Sequence, residues 1–192
     1  MTVLILGLIV FLGVHSIRII ADDWRSAQLK RLGEGAWKGI YSVISIVGFG
    51  LIVWGFGLAR QQPVVLWIAP TAMRHVAALL TLIAFVLLVA AYVPRNAIKS
   101  RLHHPMLLGV KTWALAHLLA NGRLADVLLF GAFLAWAVVC FIAAQKRDRA
   151  AATQYPAGTA GATAITVLAG VALWALFAFW LHGVLIGARP FG

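Results

Sequence analysis

The chain has 192 residues, 63% of them hydrophobic and 11% charged, and its mean hydropathy is +0.97, which excludes an ordinary soluble globular domain. The formal net charge is +11, but the sixteen Lys and Arg residues lie in short segments between long apolar runs, so they indicate membrane topology rather than nucleic-acid binding. The single cysteine, Cys140, excludes an intramolecular disulfide and a cysteine-based metal cage within one chain.

The apolar runs predict about six transmembrane helices, near 2–21, 39–59, 75–93, 105–120, 124–144 and 163–187. The first run lacks a basic leader and a small-residue cleavage site, so we expect a retained helix. The fourth run gives a helix of only about 24 Å, shorter than a typical hydrocarbon core. The predicted fold class is therefore all-α, a polytopic membrane helical bundle, with 1–192 forming one domain.

The connecting segments differ in character. Residues 22–38 mix Trp24, Trp37 and basic residues, which is typical of a helix lying on a membrane surface. The stretch 64–70 is too short to span and is expected at the outer interface. Asn121-Gly122 predicts a turn that makes the fourth and fifth spans a tight hairpin. The Ala-, Thr- and Gly-rich stretch 150–162 is expected to be a mobile loop.

A glycine pattern repeats in the second span. Gly48-Phe49-Gly50 recurs seven residues later as Gly55-Phe56-Gly57. Small residues let transmembrane helices approach closely, so we expect these two pairs to pack against another helix.

The basic residues predict which loops face the cytoplasm. The first, third and fifth loops carry ten Lys and Arg, against four in the remaining loops and termini. The positive-inside rule therefore makes these three loops cytoplasmic and places both termini on the opposite side.

Histidines are the candidates for chemistry. The five carboxylates lie outside the middle of the spans, which disfavours a carboxylate proton relay, and no nucleotide-binding, hydrolase or zinc-protease motif is present. Imidazoles inside a membrane need a partner, and apolar runs contain His15, His117 and His182. The alternative is a histidine that only hydrogen-bonds a neighbouring helix, and this interpretation is favoured for His182 and for the span-edge residues His75, His103 and His104.

Two of these histidines have suggestive neighbours. In the fourth span, Gly109, Trp113 and His117 recur every four residues and would form a wall for a planar ligand, although such a stripe is also typical of ordinary helix packing. Arg18 follows His15 by three residues. It could neutralise a carboxylate of whatever His15 holds, or extend to the lipid headgroups.

Two neutral imidazoles without thiolates or carboxylates suit haem iron better than zinc, because haem supplies four ligands itself. We therefore expect His15 and His117 as axial ligands, with His75 or His182 as alternative partners for the pair. Arg18 and Trp113 are the further candidate cofactor contacts.

The sequence resembles the NnrU family of membrane proteins, which is related to the 15-cis-zeta-carotene isomerases. The central match is His-Pro-Met-Leu-Leu-Gly at 104–109, followed by Trp-Ala-Leu-Ala-His at 113–117, Asn-Gly at 121–122 and Phe-Gly at 130–131. Gly-Val-His-Ser at 13–16 and Leu-His-Gly-Val-Leu-Ile-Gly at 181–187 extend the resemblance over essentially the whole chain.

The resemblance implies a multi-pass protein of the bacterial inner membrane, with its termini in the periplasm by the charge count above. For the isomerase branch it implies a haem b held by two histidines, which fall on His15 and His117, and redox-gated cis-trans isomerisation of a polyene. For the NnrU branch it implies an association with denitrification, through nitrite and nitric oxide reductase activity. The chain is compact and lacks a long N-terminal extension, so it is more similar to the NnrU branch, and whether it is an enzyme stays open.

The sequence also bears on three other functions. A non-enzymatic assembly or maturation factor would bind respiratory reductase components through its helices and basic loops, without a cofactor. A small transporter is disfavoured by the lack of intramembrane acids. The His-Pro-x-x-x-Gly stretch at 104–109 is also similar to that of membrane methyltransferases. Methyl transfer is disfavoured because the C-terminal acidic motif of those enzymes is missing, since no acidic residue follows Asp148. Expected partners are the lipid bilayer and a hydrophobic small molecule or reductase components, and not nucleic acid.

Overall fold

A computed structural model describes residues 1–191, and these residues are almost entirely helical. The elements are α1 (Thr2–Ile20), α2 (Asp22–Gln61), α3 (Ala72–Tyr92), α4 (Ala97–Leu102), α5 (Pro105–Ala120), α6 (Leu124–Ala150), α7 (Ala160–Leu176), a π-helical turn (Phe177–Leu181) and α8 (His182–Ile186). Within this part of the chain, five helical segments are long and apolar enough to cross a membrane, and α5 is a shorter apolar helix. The predicted all-α membrane fold is confirmed.

The chain divides into two compact units. The first unit contains Met1–Trp67 and Gly122–Trp136, and the second contains Ile68–Asn121 and residues 137–191. The expectation of one domain over 1–192 stays a prediction.

In the first unit, α1 and α2 form an antiparallel pair held by glycines. A Cβ atom at Gly7 would lie 2.6 Å from the Ile52 amide nitrogen, and one at Gly48 would lie 2.8 Å from that of Phe11. Gly55 approaches the backbone of Leu4 just as closely. These positions run in opposite directions along the two helices, so the contact continues over about two turns.

The predicted glycine packing is confirmed for only one member of each pair. Gly48 and Gly55 face α1, whereas Gly50 and Gly57 have open space where a Cβ atom would stand. Residues two positions apart lie on nearly opposite faces of a helix, so both members of a pair cannot face the same neighbour.

Helix α2 is broken at one residue. Gly33 has φ 79° and ψ 161°, so the helical segment that begins at Asp22 changes direction before it continues to Gln61. The rings of Trp24 and Trp37 meet edge to face across this kink, with centroids 5.8 Å apart. The predicted helix over 22–38 is thus present but kinked and continuous with the second span, and its position at a membrane surface stays a prediction.

In the second unit, α3 packs against both α5 and α7. A Cβ atom at Gly109 would lie 3.1 Å from the Ala84 carbonyl oxygen, and one at Gly170 would lie 2.7 Å from the Val86 Cα. Gly109 is therefore a packing residue, which favours the ordinary-packing interpretation for this member of the predicted stripe.

The connections are short and hydrogen-bonded. The non-helical stretch 64–70 is held to the start of α6, since the Leu66 amide donates to the Gly122 carbonyl at 2.8 Å and the Leu124 amide to the Val64 carbonyl at 2.8 Å. Helix α5 begins at Pro105, where the missing N–H costs nothing. The irregular stretch after Ala150 ends at Thr159, whose amide donates to the Arg95 carbonyl at 2.8 Å.

Candidate functional site

A cavity of about 600 Å³ lies in the first unit, around the C-terminal turns of α1 and both sides of the kink in α2. It contains one predicted axial histidine and the predicted arginine. Its lining residues are Val14, His15, Ile17, Arg18, Arg25, Leu29, Lys30, Glu34, Trp37, Lys38 and Tyr41.

His15 is held by its own helix in a defined orientation. Its Nδ1 lies 2.7 Å from the Phe11 carbonyl oxygen, which can only accept, so Nδ1 carries the proton. This tautomer leaves the lone pair on Nε2, the atom that ligates a metal when Nδ1 is bound to a carbonyl. The Phe11 ring supports the imidazole from one side, at a centroid distance of 4.2 Å.

Two further aromatic side chains surround His15. Tyr41 lies 5.2 Å and Trp136 6.2 Å from the imidazole, centroid to centroid, and both present an edge-to-face arrangement. Trp136 Nε1 is buried and has no hydrogen-bond partner among the described residues. Sequence reasoning missed both residues. Tyr41 comes from α2 and Trp136 from α6, whereas His15 lies on α1. Helical spacing therefore gives no signal that either aromatic residue lies beside His15.

Four of the other lining residues are basic, namely Arg18, Arg25, Lys30 and Lys38. Arg18 is exposed one turn from His15, and Arg25 and Lys30 come from the segment before the kink. Lys38 is neutralised by Glu34, with Nζ 2.7 Å from Oε1, and both side chains are largely exposed. The cavity thus combines an apolar aromatic end with a cationic end, an arrangement that suits an amphipathic anionic ligand.

His117, the other predicted axial ligand, belongs to the second unit. Its Nδ1 lies 2.9 Å from the Trp113 carbonyl oxygen, so it too keeps the lone pair on Nε2. The rings of Trp113 and His117 are neighbours at 5.3 Å between centroids. Because His15 and His117 lie in different compact units, their pairing stays a prediction from the sequence.

The alternative partners also lie in the second unit. His182 Nδ1 is 2.6 Å from the Ala188 carbonyl oxygen. His75 is exposed and lines a separate cavity of about 260 Å³ with Arg74 and Phe191. Both residues stay predicted alternatives as the partner in the histidine pair.

The two remaining histidines form a polar cluster with Tyr155 and Asp148. His103 stacks on Tyr155 at 4.2 Å, and the Tyr155 hydroxyl donates to Asp148 Oδ2 at 2.7 Å. His104 Nε2 is 2.8 Å from the same oxygen, an ion-pair distance that lacks the alignment of a hydrogen bond. Burial and the neighbouring carboxylate raise the pKa of Tyr155 to about 12. The cluster fastens the stretch after α6, which agrees with a structural role for these edge histidines.

Residues 1–191 contain no group of three or more His, Cys, Asp or Glu side chains that could hold a metal ion. A zinc cage of protein ligands is therefore not built from this part of the chain. Haem iron receives four ligands from its macrocycle, so it needs only one or two imidazoles from the protein. The histidines described above are compatible with this requirement.

Apolar helices long enough to span a bilayer, joined by short basic segments, define a multi-pass helical membrane protein. The chain belongs to the family described as NnrU protein, whose sequence model matches residues 3–190, nearly the whole chain. The predicted resemblance is thereby confirmed. No curated protein and no solved structure matches the chain.

Proposed function

We propose that this NnrU family member binds haem b in the bacterial inner membrane, with His15 as one of the histidines that would hold it. The observation that carries the proposal is the His15 imidazole, which lines a cavity while its Nδ1 is held by the Phe11 carbonyl at 2.7 Å. That arrangement leaves Nε2 as the donor atom, as in haem proteins with histidine ligands.

The residues around His15 fit such a group. The cavity volume of about 600 Å³ lies within the range of roughly 300–1,000 Å³ usual for cofactor-sized ligands. Neutral imidazole and aromatic rings suit the macrocycle, and no thiolate or carboxylate competes for the iron at the apolar end. The Tyr41 ring lines the cavity with its centroid 5.2 Å from that of the imidazole, and it adds an aromatic surface beside His15.

The second histidine that would hold the haem is proposed from the sequence. His117 is the first choice, because its Nδ1 is oriented by Trp113 in the same way as that of His15 is oriented by Phe11. His182 and His75 are the alternatives. A haem supplies a redox-active iron when it is bound. The chain orients the imidazoles through the Phe11 and Trp113 carbonyls.

Two roles follow for the loaded protein. Family membership and the isomerase relationship favour either a function in denitrification, linked to nitrite and nitric oxide reductase activity, or cis-trans isomerisation of a lipid-soluble polyene. Neither role needs a carboxylate in the spans. We place the denitrification role first, since the family that matches the chain is NnrU.

The test is an absorption spectrum of detergent-purified protein, oxidised and then reduced with dithionite. We expect a Soret band in the wild type that is lost in His15→Ala and in His117→Ala. His103→Ala is the matched control, because His103 stacks on Tyr155 outside the cavity and should leave the spectrum unchanged. A colourless protein that takes up no added haem would contradict the proposal and favour a maturation factor without a cofactor.

A further inference from the structure

The cations at the polar end of the His15 cavity are in excess over the acids. Four basic residues line the cavity, namely Arg18, Arg25, Lys30 and Lys38, against the single acid Glu34. Glu34 is already paired with Lys38 at 2.7 Å. Three positive charges therefore remain for a ligand.

These three cations are only weakly engaged by the protein. Arg25 Nη1 approaches Asp22 Oδ1 at 3.4 Å, a loose contact between partly exposed side chains. Arg18 and Lys30 have no ion-pair partner among residues 1–191. Surface pairs of the Arg25 kind contribute little to stability, so exchanging Asp22 for a ligand anion costs the protein little.

The cations that line the cavity lie toward the first loop from the His15 imidazole. Arg18 follows His15 by three residues on α1, which is a rise of about 4.5 Å along the same face of the helix. Arg25 and Lys30 approach from the segment of α2 before Gly33. A ligand held by Nε2 of His15 would thus meet a guanidinium on the side toward the first loop.

We propose that Arg18 and Arg25, assisted by Lys30, bind the carboxylates of the ligand and so determine which edge of it faces the first loop. This inference rests on the proposed haem function, and the carboxylates are then the two propionates of haem. Arginine suits this role because its planar guanidinium can donate two parallel hydrogen bonds to one carboxylate. Phosphate groups of anionic lipids could also contact these cations, and the experiment separates the two.

The experiment compares haem with its dimethyl ester, in which both propionates are capped. Apo-protein in phosphatidylcholine nanodiscs is titrated with each, and binding is followed by the Soret band. We expect the wild type to bind the free acid about three- to tenfold more tightly than the ester. Arg18→Gln and Arg25→Gln should weaken binding of the acid and leave that of the ester nearly unchanged, so that the two affinities converge.

The control is Arg31→Gln, because Arg31 is exposed on the same segment of α2 but does not line the cavity. It should keep the preference for the free acid. The band position of the bound ester should match that of the acid, which shows that ligation by histidine is intact. The preference should also persist in phosphatidylglycerol nanodiscs, where lipid phosphates compete for the same cations.

The outcomes are distinguishable. Equal affinities of acid and ester in the wild type, or Arg18→Gln and Arg25→Gln variants that lose affinity for both equally, would overturn the carboxylate assignment while the haem proposal stands. Equal affinities of acid and ester in the wild type, together with weaker binding of phosphatidylglycerol by Arg18→Gln than by the wild type, would assign the cations to lipid headgroups instead. No binding of either compound would overturn the haem function and this inference together.

Discussion

Substitution of Gly33 by alanine should loosen the segment that closes the cavity. Gly33 has φ 79° and ψ 161°, a backbone conformation that is essentially restricted to glycine. A Cβ atom there would meet nothing within 4 Å, so the cost comes from the backbone alone and amounts to about 1–3 kcal/mol. That energy corresponds to a local opening equilibrium increased about 5- to 150-fold.

Hydrogen exchange measured by mass spectrometry in nanodiscs can detect this opening. Peptides covering 22–38 should exchange faster in Gly33→Ala by the same factor, because the Trp24–Trp37 contact depends on the kink. Gly35→Ala is the matched control. Gly35 is in helical conformation with open space at its Cβ position, so alanine there should slow exchange, with a gain of up to about 1 kcal/mol. Exchange in Gly33→Ala that is unchanged or slowed would refute the reasoning, since the kink would then not be fixed by packing.

Three further perturbations address other parts of the chain. Gly48→Leu should destabilise the α1–α2 pair by about 1–3 kcal/mol or more in thermal unfolding, because Gly48 contacts α1. Gly50→Leu should be nearly neutral, because there is open space at the Cβ position of Gly50. Equal effects of the two substitutions would contradict the assigned interface. Asn96→Ala removes the side-chain donor to the Ala90 and Val93 carbonyls, at 2.9 Å and 2.6 Å, and should cost about 1–3 kcal/mol by the same assay, so an unaffected melting temperature would exclude this role. Tyr155→Phe should abolish a tyrosinate absorbance step at pH about 12. Because the pKa of Tyr155 is raised in the folded protein, its contribution to stability is complete below the ordinary pKa of 10.0 and is lost as the pH rises through about 12. An absorbance step that persists in the variant would assign that step to another tyrosine.

Hydropathy was sufficient to predict the helices, because a bilayer requires long apolar segments whatever the packing partners are. It could not locate the break in α2. Gly33 lies in a polar stretch where glycine is also compatible with a plain loop, and only tertiary contacts such as the Trp24–Trp37 pair reveal a kinked continuous helix. The π-helical turn before His182 also has no signal in the apolar pattern, since it changes hydrogen-bond register without changing composition.

The candidate site was only partly predictable. His15 and Arg18 could be found because a polar side chain in an apolar run is conspicuous, and the structure places both on one cavity. Tyr41 and Trp136 could not, since aromatic residues are common at helix ends and in spans and nothing in their spacing points to His15. The pairing of His15 with His117 depends on how separate parts of the chain are arranged, which local sequence patterns do not encode.

Chemical rescue of His15→Gly tests most directly whether this imidazole ligates haem iron. We expect the purified variant to lack the low-spin spectrum of the wild type and added imidazole to restore it, because the free ligand replaces the missing side chain. Circular dichroism that matches the wild type would establish that the variant is folded. A folded His15→Gly protein that keeps the wild-type spectrum without imidazole would contradict the account.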